Sequence, residues 1–219
     1  LVEGGVSSLE VQFPFSDPTA DGPVIQEACA SALTSGFTLR KGFSLVETIT
    51  KTFAVPVFLM SYGGPVYTTG IDRFVDRSKD AGVTGLIVPD LMPGADEGLY
   101  RTGNEKGMHI VPVVVPSIKT TRLEKIIGMR PFYLYAALRK GVTGEETAVK
   151  EAVRFLKRIE GEAKILAGFG IRNRSQVVEL QPYVHAVVAG SVFVRTIQEA
   201  GSLTENIRGV ARSLVYGKE

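Results

Sequence analysis

Seven short runs of β-branched and other apolar residues, each followed by a longer stretch of helical patterning, constrain this chain more than any other feature. The runs fall at 8–13, 56–62, 85–90, 109–116, 132–138, 164–170 and 186–191. Strands separated by helices cannot pair as tight hairpins, so the chain is expected to build parallel βα units. Helical segments are read at 24–34, 71–81, 121–127 and 145–159, among others. In the last, Val149, Val153, Leu156 and Ile159 recur at helical spacing, while Glu146, Lys150, Arg154, Lys157 and Arg158 take the other face. That pattern predicts an amphipathic helix laid on a sheet, its charged face solvated. Seven units without a change of composition fit a (β/α)8 barrel, the TIM barrel of the α/β class, better than an open doubly wound sheet. The count is one short of eight. The opening Leu1-Val2-Glu3-Gly4-Gly5 reads as a helix C-terminus ending at glycine, so a first βα unit of about 30 residues is expected to be lacking from this chain. A barrel without it has an open edge.

At 219 residues and 44% hydrophobic, a single barrel domain over 1–219 is expected. A net charge of +2, with no run of basic residues, gives no footprint for nucleic acid. No apolar stretch approaches the roughly 18 residues that a membrane span needs, and the start lacks the charged segment and apolar run of a signal peptide. A cytoplasmic protein is expected. Cys29 is the only cysteine; it excludes an internal disulfide and reads as a buried, inert thiol. His109 and His185 stand in no ligand-spaced motif, so both read as structural or surface residues and no metal site is expected.

The first strand is unusual in carrying a carboxylate. Leu9, Val11 and Phe13 share one parity, and Glu10 and Gln12 share the other. Either the polar face is wet, as in a sheet buried on one side, or it points into a site. The following loop favours the site. Pro14, Pro18 and Gly22 stop the strand near Phe13 and hold a loop as far as a helix starting near Pro23. Ser16, Asp17 and Asp21 lie on that loop, close in sequence to Glu10.

In such a barrel the chemistry lies at the C-terminal ends of the strands, commonly with a phosphate held after the last two. Those strands end in Gly168-Phe169-Gly170 and Ala189-Gly190-Ser191, and a third glycine loop, Gly141-Val142-Thr143-Gly144, follows the strand ending at Leu138. One glycine after a strand is ordinarily a turn device. Three on successive strands suggest a monophosphate held by main-chain N–H groups.

The run from Pro14 to Pro23 with Ile25-Gln26 behind it, Ile87-Val88-Pro89-Asp90-Leu91, Gly141-Val142-Thr143-Gly144, Gly168-Phe169-Gly170-Ile171 and Ala189-Gly190-Ser191 together resemble the tryptophan synthase alpha subunit family, in family order from about residue 1 to about 195. The resemblance implies a (β/α)8 barrel that cleaves indole-3-glycerol phosphate to indole and glyceraldehyde 3-phosphate. It also implies a beta subunit partner that carries the pyridoxal phosphate, with no cofactor in this chain. By motif, Glu10 resembles the family's acid/base glutamate and Asp21 the aspartate facing the indole nitrogen. A glutamate with a raised pKa and an ionised aspartate on a loop would divide these roles. The same matching gives Gly144, Gly170, Gly190 and Ser191 to the phosphate, and Thr143 to holding Asp21 as the loop closes. Asp90 would steady that loop, although a salt bridge to a neighbouring helix is the plainer alternative. Tyr135, Phe169 and Ile87 would wall the indole pocket, with core packing the competing explanation for Tyr135 and Phe169.

Several positions depart from the family pattern. Gln12 and Phe13 replace a glycine and a small aliphatic residue and are expected to crowd the indole pocket. Gly63-Gly64 replaces tyrosine-asparagine before Pro65, on a loop the family presents to the beta subunit. Leu138 and Lys140 flank Arg139 where small or polar residues are common. These changes leave open a weakly active or silent alpha-like subunit that regulates a beta subunit, and indole release without a partner. A sugar-phosphate epimerase or isomerase is a further alternative, against which the scarcity of histidine counts.

Overall fold

The seven expected strand regions all form strands, and each strand lies parallel to its neighbours. The computed structural model describes residues 1–138, 149–168, 170–197 and 202–217. Among these, β1 (Leu9–Gln12), β2 (Val57–Met60), β3 (Gly85–Ile87) and β4 (His109–Val111) form one sheet in that order. A second sheet contains β5 (Val113–Val114), β6 (Tyr133–Ala137), β7 (Lys164–Gly168) and β8 (Ala186–Val187). β4 and β5 are the fourth expected strand cut in two at Pro112, which has no N–H to give to a ladder. The chain changes partner there: Val111 pairs with Ile87, whereas Val113 pairs with Tyr135. The Pro112 carbonyl still accepts from the Tyr135 N–H at 2.9 Å.

Ten α-helices are found among the described residues: α1 (Pro23–Thr34), α2 (Leu39–Thr52), α3 (Gly63–Thr69), α4 (Ile71–Asp80), α5 (Leu99–Lys106), α6 (Thr120–Gly128), α7 (Val149–Arg158), α8 (Arg174–Leu180), α9 (Ser191–Ile197) and α10 (Leu203–Tyr216). α1 starts with proline at its first turn, where the missing N–H costs nothing. α7 buries Ala152, Phe155 and Leu156 as an amphipathic helix should; the expected segment before Val149 lies outside the described residues. The opening residues form a single 3-10 turn, Val2–Gly4, capped by Gly5 in the left-handed conformation. An ion pair between Glu3 and Arg208 joins that turn to α10.

Strand parity divides the apolar residues into layers. In β2, Val57 and Leu59 pack outward with Phe43, Val46 and Phe74 of the first helices, while Phe58 and Met60 pack inward with Tyr62, Ile87, Tyr133, Tyr135 and Leu166. In β6, Leu134 and Ala136 face the outer layer formed with α6, α7 and α8, and Tyr133 and Tyr135 face the interior. Strands covered on both faces are what a parallel barrel requires. β1 and β8 are not hydrogen-bonded to each other among the described residues. A cavity of about 640 Å³ lies between them, with Glu10, Gln12, Cys29, Phe58, Leu166 and Gly190 among its walls. This is the open edge expected of a TIM barrel lacking one unit.

Candidate active site

β1 sets the site. Leu9 and Val11 pack on the outer core, and Phe13 lies wholly within it, its ring centroid 5.0 Å from that of Phe43 and 5.6 Å from that of Phe37. The expectation that Phe13 crowds the substrate pocket is therefore wrong, because its parity turns it toward the helices. Glu10 and Gln12 take the opposite face, pair in register with Phe58 and Met60, and line the cavity. The wet-face alternative for this strand gives way to an inward-facing carboxylate that solvent reaches through the cavity.

Glu10 is open to solvent along the cavity, yet the surrounding protein desolvates its carboxyl; that desolvation, followed by the nearby Asp21, pushes its pKa up to about 7, and a hydrogen bond from Tyr135 pulls the other way. Tyr135 itself is held well above its usual range, first by burial and then by the charge of Glu10. Its hydroxyl can stand there only because Gly168 on the adjacent β7 has no side chain: a Cβ at that position would lie 2.5 Å from the Tyr135 oxygen.

Asp21 lies on the loop between β1 and α1 as expected, but it is buried there. It is 2% exposed, and the loop is folded back so that Oδ2 accepts from the Tyr62 hydroxyl at 2.7 Å and from Gln12 Nε2 at 2.6 Å. Burial raises its pKa, and these two donors oppose the rise. The Tyr62 hydroxyl also accepts from the Ala20 N–H at 3.2 Å, which ties the loop to the end of β2. Tyr62 and the support from Gln12 were missed in the sequence. The available signals were a tyrosine just past the end of an apolar strand and a glutamine in phase with Glu10.

Ile87 is 1% exposed and belongs to the interior cluster with Tyr135. Asp90 is exposed and accepts, through both carboxylate oxygens, from the Gly63 N–H at the start of α3, each at 3.0 Å. It therefore holds α3, directly beside Tyr62. The two glycines that depart from the family pattern have a packing reason, since a Cβ at Gly64 would lie 2.7 Å from the Phe15 ring. Phe15 in turn stacks on Tyr62 with centroids 5.5 Å apart.

Gly170 follows β7, in a turn held by Gln176, whose Oε1 accepts from the Arg172 N–H at 2.7 Å while Asn173 caps α8. Gly190 and Ser191 lie at the start of α9, Gly190 on the cavity wall and Ser191 6% exposed. Thr143, Gly144 and Phe169 lie outside the described residues, as do Arg139 and Lys140. Cys29 is buried, and its thiol is pushed up by desolvation. No group of metal-binding side chains is found among the described residues, and no described helix is long and apolar enough to cross a membrane.

Residues 1–218 match the family model described as tryptophan synthase alpha chain. The chain is 36% identical to the tryptophan synthase alpha chain of Methanosarcina acetivorans over 219 residues, covering 99% of this chain and 80% of the relative. It is 35% identical to that of Helicobacter hepaticus, covering 94% and 80%. Among solved structures, a chain of Mycobacterium tuberculosis tryptophan synthase superposes with a TM-score of 0.90 at 30% identity, over 99% of this chain and 82% of that one. The Pyrococcus furiosus tryptophan synthase complex gives 0.84 at 32% identity, over 96% and 86%.

Proposed function

The chain belongs to the tryptophan synthase alpha chain family, and from that membership we propose that Glu10 and Asp21 divide the work of the family's reaction. The protein is a lyase of tryptophan biosynthesis that cleaves indole-3-glycerol phosphate to indole and glyceraldehyde 3-phosphate. The observation that carries the residue assignment is Glu10 at the cavity wall, raised to about 7 beside Asp21. At neutral pH such a group is available both as acid and as base.

Protonated Glu10 gives its proton to C3 of the indole ring, and Asp21 holds the ring N–H as positive charge develops there. The Glu10 carboxylate then takes the proton of the side-chain hydroxyl. The C–C bond breaks, its electrons return to the ring, and the hydroxyl carbon becomes the aldehyde, leaving Glu10 protonated for the next turnover. A positioned acid/base contributes about 10²–10⁴-fold, or roughly 3–5 kcal/mol of barrier. Tyr135 orients Glu10, and Ile87 with Phe169 walls the ring. Main-chain groups of Gly144, Gly170 and Gly190, with Ser191, take the phosphate, while Thr143 and Asp90 serve loop closure. We assign the whole of 1–219 to one barrel domain acting in the cytoplasm beside a beta subunit. Pyridoxal phosphate belongs to that subunit, and this chain's chemistry calls on carboxylates alone.

Indole release from indole-3-glycerol phosphate, measured for this chain and for Glu10→Gln with and without a beta subunit, tests the assignment. A loss of about 10² or more in kcat is expected for the variant. Wild-type turnover that survives Glu10→Gln removes Glu10 from the chemistry. An inactive wild type under both conditions favours a silent alpha-like subunit.

A further inference from the structure

Where the family usually has glycine, this chain has a side chain that reaches the catalytic carboxylates. We propose that Gln12 is a positioning residue whose amide, carried on the same strand as Glu10, aims the Asp21 carboxylate at the substrate's ring N–H. The inference rests on the assignment of Asp21 to that N–H and adds a residue to it. Gln12 and Tyr62 both donate to Oδ2 of Asp21, at 2.6 and 2.7 Å. Among the described residues, that leaves Oδ1 as the oxygen offered to an incoming donor. The same Gln12 nitrogen lies 3.6 Å from the Cys29 sulfur on α1, so the amide is braced between helix and loop.

Asp21 is buried, and the hydrogen bonds that support its ionised form among the described residues come from neutral groups. Among the described residues, the titratable groups around it are Glu10 from β1, Tyr62 beyond β2, Tyr135 from β6 and Cys29 from α1. Glu10, when ionised, disfavours a second negative charge, whereas the Tyr62 and Gln12 donors favour it. With no cation among these described groups, deleting one of the two described donors changes a large share of the support they give to the charged form of Asp21. A glycine in this position supplies no donor, so Gln12 gives this chain a rigid support that does not depend on loop closure.

The test compares wild type with Gln12→Met, which keeps the length of the side chain and removes the donor, and with Gln12→Gly, which restores the family's residue. Both are measured for kcat and KM of indole release from about pH 5 to 9, and for the carboxyl titration of Asp21 by 13C NMR on aspartate-labelled protein, assigned with Asp21→Asn. The expected result is a fall in kcat of about tenfold with KM nearly constant, and an upward shift of the Asp21 titration in both variants. A lower KM with unchanged kcat would show that Gln12 merely obstructs the pocket and would overturn the proposal. So would an Asp21 titration that does not move in a folded variant. The NMR titration needs no turnover, so it stands apart from the lyase test: an inactive wild type sinks the activity, and an unmoved titration sinks the role of Gln12.

Discussion

The desolvation that lifts Glu10 to about 7 also disfavours the folded state whenever that carboxyl ionises, by an amount that its contact with solvent in the cavity reduces. The unfolded chain releases the same proton near the ordinary value of 4.5. Below that value both states are protonated and no penalty exists. Between about 4.5 and 7 the unfolded state holds fewer protons, so folding stability falls as pH rises; above the folded value the loss is complete and constant. Glu10→Gln removes the ionisation and is expected to melt above wild type at pH 8 and level with it at pH 4, as read by thermal unfolding at the two pH values. Equal melting differences at both would show that Glu10 titrates normally. Ionisation of Asp21 is opposed by burial in the same way, and the two hydrogen bonds from Tyr62 and Gln12 support its charged form.

Pairs of adjacent elements set these side chains in place, and here glycine position matters more than glycine count. Tyr135 on β6 reaches Glu10 across space that Gly168 on β7 leaves empty. Gly168→Ala is expected to displace the hydroxyl and lower kcat about tenfold, as Tyr135→Phe should, with little further loss in the double variant. Kinetics of the three proteins check this, and additive losses would separate the two residues. The elements themselves were largely legible, because strands buried on both faces leave long apolar runs and α7 shows its two faces in plain periodicity. α3 was not legible: Gly63-Gly64-Pro65 reads as a turn, and it becomes helical through the Asp90 carboxylate at its N-terminus and the fit of Phe15 against Gly64. Tyr135, the partner of Glu10, is singled out in the sequence only through family resemblance, and there as a wall of the indole pocket. The outward turn of Phe13 follows from parity alone, since it shares its face of the strand with Leu9 and Val11. The burial of Asp21 was illegible because Tyr62, 41 positions away, creates it.

At the scale of the molecule, the strand interrupted at Pro112 joins the two sheets, and among the described residues β1 and β8 have no ladder between them. Each sheet has its own outer core, one built around Phe13, Phe43 and Phe74 and the other around Leu134, Phe155 and Leu156, with one interior cluster shared between them. Glu10, Asp21 and Tyr62 belong to the first sheet and its loops; Tyr135, Gly170 and Gly190 belong to the second. On the proposed assignment, catalysis therefore depends on registration between the two sheets, and a loss of that registration is expected to cost activity before it costs secondary structure. In low concentrations of urea, indole release is expected to fade before far-UV circular dichroism changes, whereas simultaneous loss would mean that the seam is as strong as the sheets it joins. A single proline, by ending one ladder and starting the next, makes the enzyme's activity a gauge of how well its two parts are mated.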